Sequence, residues 1–260
     1  MELIKFCKPE HNIKRGSMLR IGTLYSYRNI ENASLRDEHE GTYKFLIEFP
    51  EEVELDTRWC NLLLQGAIGF GDSVDIPRFP GSFSTEIKSL HVVKQTDKSV
   101  FVKDTSILIT RSVSNSLIFC MSLLESEGNS PFPEYTDYWN LPFNTAGGFC
   151  QKLGNLIFQQ AKLSLFENTL TSNHSPASVR ALNIYAKHQP IIYRDRSLQI
   201  TKINKPTYEE LVELLINIQF IKPTKYSNEK EYRFSYELND GNQVFVPTVE
   251  SMLLNLNCLI

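Results

Sequence analysis

Apolar and polar positions alternate over short runs through most of this chain, and the helical period emerges only in its second half. Residues 42–49 alternate with period two, and 86–123 is rich in β-branched and apolar runs: Leu90-His-Val-Val, Ser99-Val-Phe-Val-Lys and Ser106-Ile-Leu-Ile-Thr. Residues 116–122, Ser-Leu-Ile-Phe-Cys-Met-Ser, are apolar almost throughout, the pattern of a strand buried on both faces. Residues 1–7 read as a first strand and 18–28 as a strand or turn-strand, while the polar, acidic stretch 29–41 reads as a loop or short helix.

Leu153, Leu156, Ile157, Ala161 and Leu165 recur every three to four residues and predict a helix over 150–166. A second helix is predicted over 207–220. Thr207 follows Pro206 and precedes Glu210 by three residues, as in a capping box, and Leu211, Leu214, Leu215 and Ile218 form its apolar stripe. Residues 171–178 read as a polar loop and 190–193 as a strand. The turn Asn239-Asp-Gly-Asn joins 232–238 to Gln243-Val-Phe-Val as a hairpin. Strands on both sides of helices imply one α+β domain over 1–260, with a mixed or mainly antiparallel sheet and packed helices.

Composition narrows the function classes. With 260 residues, 42% hydrophobic and 22% charged, the chain can bury a sizeable core. A net charge of −3 supplies no overall basic field for nonspecific nucleic-acid binding. No apolar run approaches the roughly 18 residues of a membrane span, and residues 1–7 lack a basic-then-apolar secretion signal. Cys7, Cys60, Cys120, Cys150 and Cys258 are scattered, which predicts free thiols and a cytoplasmic location. The histidines show no metal-ligand spacing either.

The densest chemistry lies in 222–236, Lys-Pro-Thr-Lys-Tyr-Ser-Asn-Glu-Lys-Glu-Tyr-Arg-Phe-Ser-Tyr. On a strand, Glu229, Glu231, Arg233 and Ser235 share one face, while Lys230, Tyr232, Phe234 and Tyr236 share the other. The aromatic face suits a core. The polar face carries two carboxylates roughly 7 Å apart at about 3.3 Å per residue. Such a pair raises one pKa and suits acid–base work or stabilisation of a developing cation. The competing reading is an exposed strand face with a modest Glu231–Arg233 salt bridge.

Elsewhere Arg20 and Arg28 are candidates for a phosphate or simply face solvent, and Ser122 either serves a site or ends a buried strand. Arg36, Asp37 and Glu40 form a charged cluster, and Cys120 reads as a core thiol. Tyr138 and Trp139 lie in a stretch containing Pro131, Pro133 and Pro142; they are placed to stack a nucleotide base or to pin a loop over 137–148.

The order of five short pieces resembles an uncharacterised bacterial and phage family known as a domain of unknown function. They are Phe119-Cys-Met-Ser122, Asp137-Tyr-Trp139, Gly147-Gly-Phe-Cys150, Tyr193-Arg-Asp195 and Glu229-Lys-Glu-Tyr-Arg233. Glu229-x-Glu231 is also similar to the Glu-x-Glu motif of mono-ADP-ribosyltransferases. That resemblance implies NAD as cofactor, with Glu231 supporting an oxocarbenium-like transition state and Glu229 positioning the nucleophile. It further implies an early Arg or His, filled by Arg20 or Arg28, and a middle-strand Ser, filled by Ser122 or, at a longer gap from Glu229, by Ser84-Thr85. The implied function is an NAD- or nucleotide-processing effector, toxin-like or defence-associated in phage–bacterium conflict, acting on an acceptor the residues do not identify. A non-catalytic nucleotide- or peptide-sensing module is the alternative. A metal-dependent nuclease built on Asp37, Glu40, Glu229 and Glu231 is a third reading.

Overall fold

Alternating segments become strands where a neighbouring strand satisfies their backbone groups, and most of the alternation in this chain finds such a partner. The computed structural model describes residues 1–29, 36–65, 67–71, 77, 79–125, 130–132, 134–166, 170 and 180–256. The loop expected at 171–178, much of that expected at 29–41, Pro133 and Cys258 lie outside the described residues.

In chain order the strands are β1 (Glu2–Cys7), β2 (Met18–Thr23), β3 (Thr42–Phe49), β4 (Val53–Asp56), β5 (Gly81–Gln95), β6 (Ser99–Val113), β7 (Leu117–Leu124) and β8 (Asp137–Pro142). They continue with β9 (Asn183–Pro190), β10 (Ile192–Tyr193), β11 (Ser197–Ile200), β12 (Ile221–Lys222), β13 (Glu231–Asn239), β14 (Val244–Phe245) and β15 (Ser251–Asn255). Among the described residues, the α-helices whose bounds are given are α1 (Thr57–Leu63), α2 (Ala146–Phe166) and α3 (Tyr208–Asn217). The fold is α+β and its strands pair mainly antiparallel. Among the described residues, no helix is long and apolar enough to cross a membrane.

The chain builds two compact units, one from Met1–Glu40, Asn115–Tyr193 and Lys222–Ile260, the other from Gly41–Ser114 and Arg194–Ile221. The first holds a sheet ordered β14-β13-β7-β1-β8, with β9 on β13 and β2 bridging β7 to β15. Tyr232, Phe234 and Tyr236 of β13 point into its core with Phe119, Met121, Trp139 and the Leu153, Ile157 and Ala161 stripe of α2. The aromatic face expected of 230–236 is therefore core, as the period-two pattern requires. β14 pairs with β13 through Leu238–Phe245 and Asn239–Val244, closing the expected hairpin.

The second unit is ordered β11-β3-β6-β4 with β5 on the free edge of β6; β11 runs parallel to β3. Its helix α3 begins at the predicted capping box, since the Glu210 N–H donates to Thr207 Oγ1 and the Thr207 N–H to Glu210 Oε2. Leu211, Leu215 and Ile218 are buried, but Leu214 is only half-buried. The apolar stripe is narrower than the spacing implied: Leu211, Leu215 and Ile218 share the inward face and Leu214 lies at its margin; the α-helix stops at Asn217, and 218–220 tightens into a 3₁₀ turn.

Candidate functional site

The site forms where the first unit's sheet splits. One edge of β7 is covered by β13 from Glu231 opposite Ser122 to Tyr236 opposite Leu117. The other edge is shared: β1 pairs with it from Leu124 to Ser122, and β2 pairs with it at Ile118 and Leu117. Between these pairings β1 and β2 peel away, β1 towards β8 and β2 towards β15. Phe119–Met121 thus face a fork, and the Lys5 ammonium donates to the Cys120 carbonyl at 2.9 Å in place of a neighbouring strand. A cavity of about 750 Å³ occupies the fork. Residues 4–8 and 119–122 line it consecutively, so side chains of both faces of the sheet border it.

One wall is a buried ion network. Lys222 on β12 donates to Glu229 at 2.6 Å and to Glu231 at 2.9 Å. Arg233 donates to the second oxygen of Glu231 at 2.7 Å and to Glu40 at 2.9 Å. The Glu231 backbone N–H donates to the Tyr193 hydroxyl at 2.8 Å. Glu40, Lys222, Glu229, Glu231 and Arg233 are all buried, with Arg233 and Glu40 fully so. The surface salt bridge considered above is overturned, since Glu231 and Arg233 lie inside the protein. Desolvation there makes each charge dependent on its partners.

Glu229 is not on the strand. It ends a 3₁₀ helix, Thr224–Glu229, and Lys230 follows in the left-handed region at φ 45° before β13 begins. That kink still delivers Glu229 to the lysine that holds Glu231. The two acids nevertheless differ. Burial raises the Glu229 pKa to about 7, with Lys222 opposing and the Glu231 charge adding to the rise. Burial acts on Glu231 in the same sense, but Arg233 and Lys222 outweigh it and hold that carboxyl well below its ordinary range. Glu231 is a fixed anion; Glu229 is the group able to exchange a proton near neutrality.

The fork also gathers residues that spacing alone did not single out. Tyr27 directs its hydroxyl to the Cys120 thiol at 3.8 Å. Burial pushes that thiol up to about 12, so Cys120 is not a thiolate nucleophile. Burial also lowers the Lys5 pKa. Phe132 and Tyr135, ring centroids 5.5 Å apart, line the cavity with Lys8 and His11. Lys222 and Glu40 lay within stretches the sequence had marked; Lys5, Tyr27 and Tyr135 carried no pattern to mark them.

The predicted site residues divide. Glu229, Glu231, Ser122 and Arg20 come together on the cavity wall, with Ser122 directly across the β7–β13 pair from Glu231. Arg28 is not among the lining residues; it donates through Nε and a terminal nitrogen to the Glu40 carbonyl at 2.8 and 2.6 Å and stacks on Tyr25. The stretch expected as a loop over 137–148 is β8, a 3₁₀ turn and the start of α2. Proline is admitted there because Pro142 terminates β8, an edge strand that among the described residues pairs with β1 alone. Tyr138 is exposed and is not itself a lining residue; it packs beside Phe6, which is. Trp139 touches the cavity from the core, stacked on Phe119 at 6.0 Å and only 2% exposed. Among the lining aromatics, Tyr27, Phe132 and Tyr135 are half-buried, whereas Phe6, Phe119 and Trp139 are buried.

Compared with protein-family models, with curated proteins and with solved structures, the chain has no match in any of the three.

Proposed function

We propose that the first unit is an NAD- or nucleotide-processing domain of ADP-ribosyltransferase type. The observation that carries this reading is Glu231, an anion held by Lys222 and Arg233 at the wall of a cavity of about 750 Å³, with Ser122 opposite it and Arg20 lining the same cavity. A fixed negative charge is the feature that stabilises a developing oxocarbenium ion, and burial strengthens it. Lys8 and Arg20 offer cations to phosphate groups, and Tyr135 and Phe132 offer faces to a base. The role of an effector in phage–bacterium conflict belongs to the same proposal and rests on the family resemblance alone.

Incubation of the purified protein with NAD and cell extract tests the reading. Release of nicotinamide or transfer of label to a macromolecule, lost in Glu231→Gln, supports it; neither product overturns it.

A second reading is a nucleotide-sensing module without chemistry. It is favoured by the engagement of both Glu231 oxygens, one by Lys222 and one by Arg233, which leaves less of the charge for a transition state. A ligand-induced rise in melting temperature with no turnover of NAD would select it.

A further inference from the structure

Two neighbouring polar groups on the cavity wall each lack the partner their chemistry calls for. Lys5 on β1 and Trp139 on β8 stand directly opposite one another in the strand register, so their side chains leave the same face of the sheet with Cβ atoms about 5 Å apart. Both residues line the cavity. Trp139 is only 2% exposed, and its indole N–H meets no acceptor among the described residues. An indole nitrogen can only donate, so it is satisfied by an acceptor brought to it and by nothing else.

Lys5 lacks an anion. One of its three N–H groups goes to the Cys120 carbonyl at 2.9 Å, which leaves two to donate. Among the described residues it forms no ion pair. Three carboxylates also line the cavity, but none serves it at contact. Glu231 leaves the opposite face of the sheet, level with Ser122, and acts on Lys5 only from a distance while Lys222 and Arg233 hold it. Glu229 is held by Lys222, and Glu250 is exposed. A buried ammonium without a counterion of its own gains most from an anion supplied by a ligand.

Phe119 joins the two groups. Its ring stacks on Trp139 at 6.0 Å, and the Lys5 ammonium lies 4.9 Å from its centre. Met121 leaves the same face of β7 and also lines the cavity. Two donors beside an apolar surface match the two oxygens of a carboxylate. A phosphoryl group would press a third charged oxygen against carbon.

We propose that Lys5 and Trp139 form a carboxylate-binding subsite, the ammonium and the indole N–H each donating to one oxygen of a monocarboxylic acid whose aromatic or apolar body lies against Phe119 and Met121. This goes beyond the nucleotide reading and does not depend on it.

The two tryptophans of the chain supply an internal reference, because the Trp59 indole N–H already donates to the Pro206 carbonyl at 3.1 Å. Isotope-labelled protein is titrated with phenylacetate, its neutral isostere phenylacetamide and phenyl phosphate, and both indole signals are followed in proton–nitrogen correlation spectra. Phenylacetate should move the Trp139 signal downfield and leave that of Trp59 in place. It should bind about 10- to 100-fold more tightly than phenylacetamide, the worth of a hydrogen bond to a charged group. Lys5→Met, which keeps the apolar stem, should remove that advantage and leave phenylacetamide binding close to wild type. Trp139→Phe, which keeps a stacked ring, identifies the signal and should weaken phenylacetate about 2- to 10-fold. Equal affinity for acid and amide would overturn the inference, as would failure of phenylacetate to bind. Binding that leaves the Trp139 signal unmoved would place the acid at the exposed Lys8 or Arg20 and overturn it too, and tighter binding of phenyl phosphate would overturn the carboxylate assignment. The nucleotide reading is decided separately, by turnover of NAD.

Discussion

Glu229 and Glu231 share the single ammonium of Lys222, which lies 2.6 Å from one and 2.9 Å from the other. One is reached from the end of a 3₁₀ helix and the other from the first residue of β13, so a two-residue spacing yields two environments. The arrangement pushes the two pKa values apart, which is how a pair of identical side chains divides the roles of anion and proton carrier.

Stability should respond to pH through Glu229 with a definite sign. Its folded pKa is raised to about 7 from an ordinary 4.5, so its contribution is fully present below about pH 4.5 and is lost as pH rises through 7. The loss should be at most about 3 kcal/mol. Urea denaturation of wild type and Glu229→Gln at pH 5 and pH 8 measures it as the difference between their slopes. Glu231, held low, contributes the other way, above its ordinary pKa, and is flat over this interval.

Replacement of Glu231 by Gln removes charge while keeping shape. In the transferase reading turnover of NAD should fall by about 10²–10³, with a much smaller change in affinity, because the charge acts mainly when the cation develops. Single-turnover kinetics beside equilibrium binding separates the two effects. Folded Glu231→Gln protein with wild-type turnover would exclude that role.

Tyr135 and Trp139 should respond in opposite ways to truncation. Tyr135→Ala should weaken nucleotide binding by about 1–3 kcal/mol, the worth of one stacked base, and leave the melting temperature close to wild type. Trp139→Ala should instead cost about 3–5 kcal/mol of stability, as loss of a buried aromatic does. Denaturation and binding curves on the same two proteins check both.

On α3, Leu211→Ala should cost about 2–5 kcal/mol, because the side chain is fully buried. Leu214→Ala, one turn on but half-buried, should cost less than half as much. Equal losses in chemical denaturation would mean that both side chains lie in the core.

Sequence by itself determined what depends on neighbours along the chain. Period-two alternation in 42–49 and the apolar run at 116–122 specified strands β3 and β7, Thr207 and Glu210 specified the start of α3, and Asn239–Asn242 specified a hairpin. It also picked out Glu231 and the aromatic face behind it, since a strand sorts its residues by parity alone. Tertiary structure decided whatever depends on which strands lie side by side. Glu40 reaches Arg233 across 193 residues, and Lys5 reaches Cys120 across 115. The fork exists because β1 and β2 share one edge of β7 without meeting along it. Trp139 is core rather than loop for the same reason, because pairing with β1 turned a proline-flanked segment into β8. Spacing along a chain records which face a residue takes, whereas the charge, burial and pKa of that residue are set by groups that sheet order and register bring to it from elsewhere.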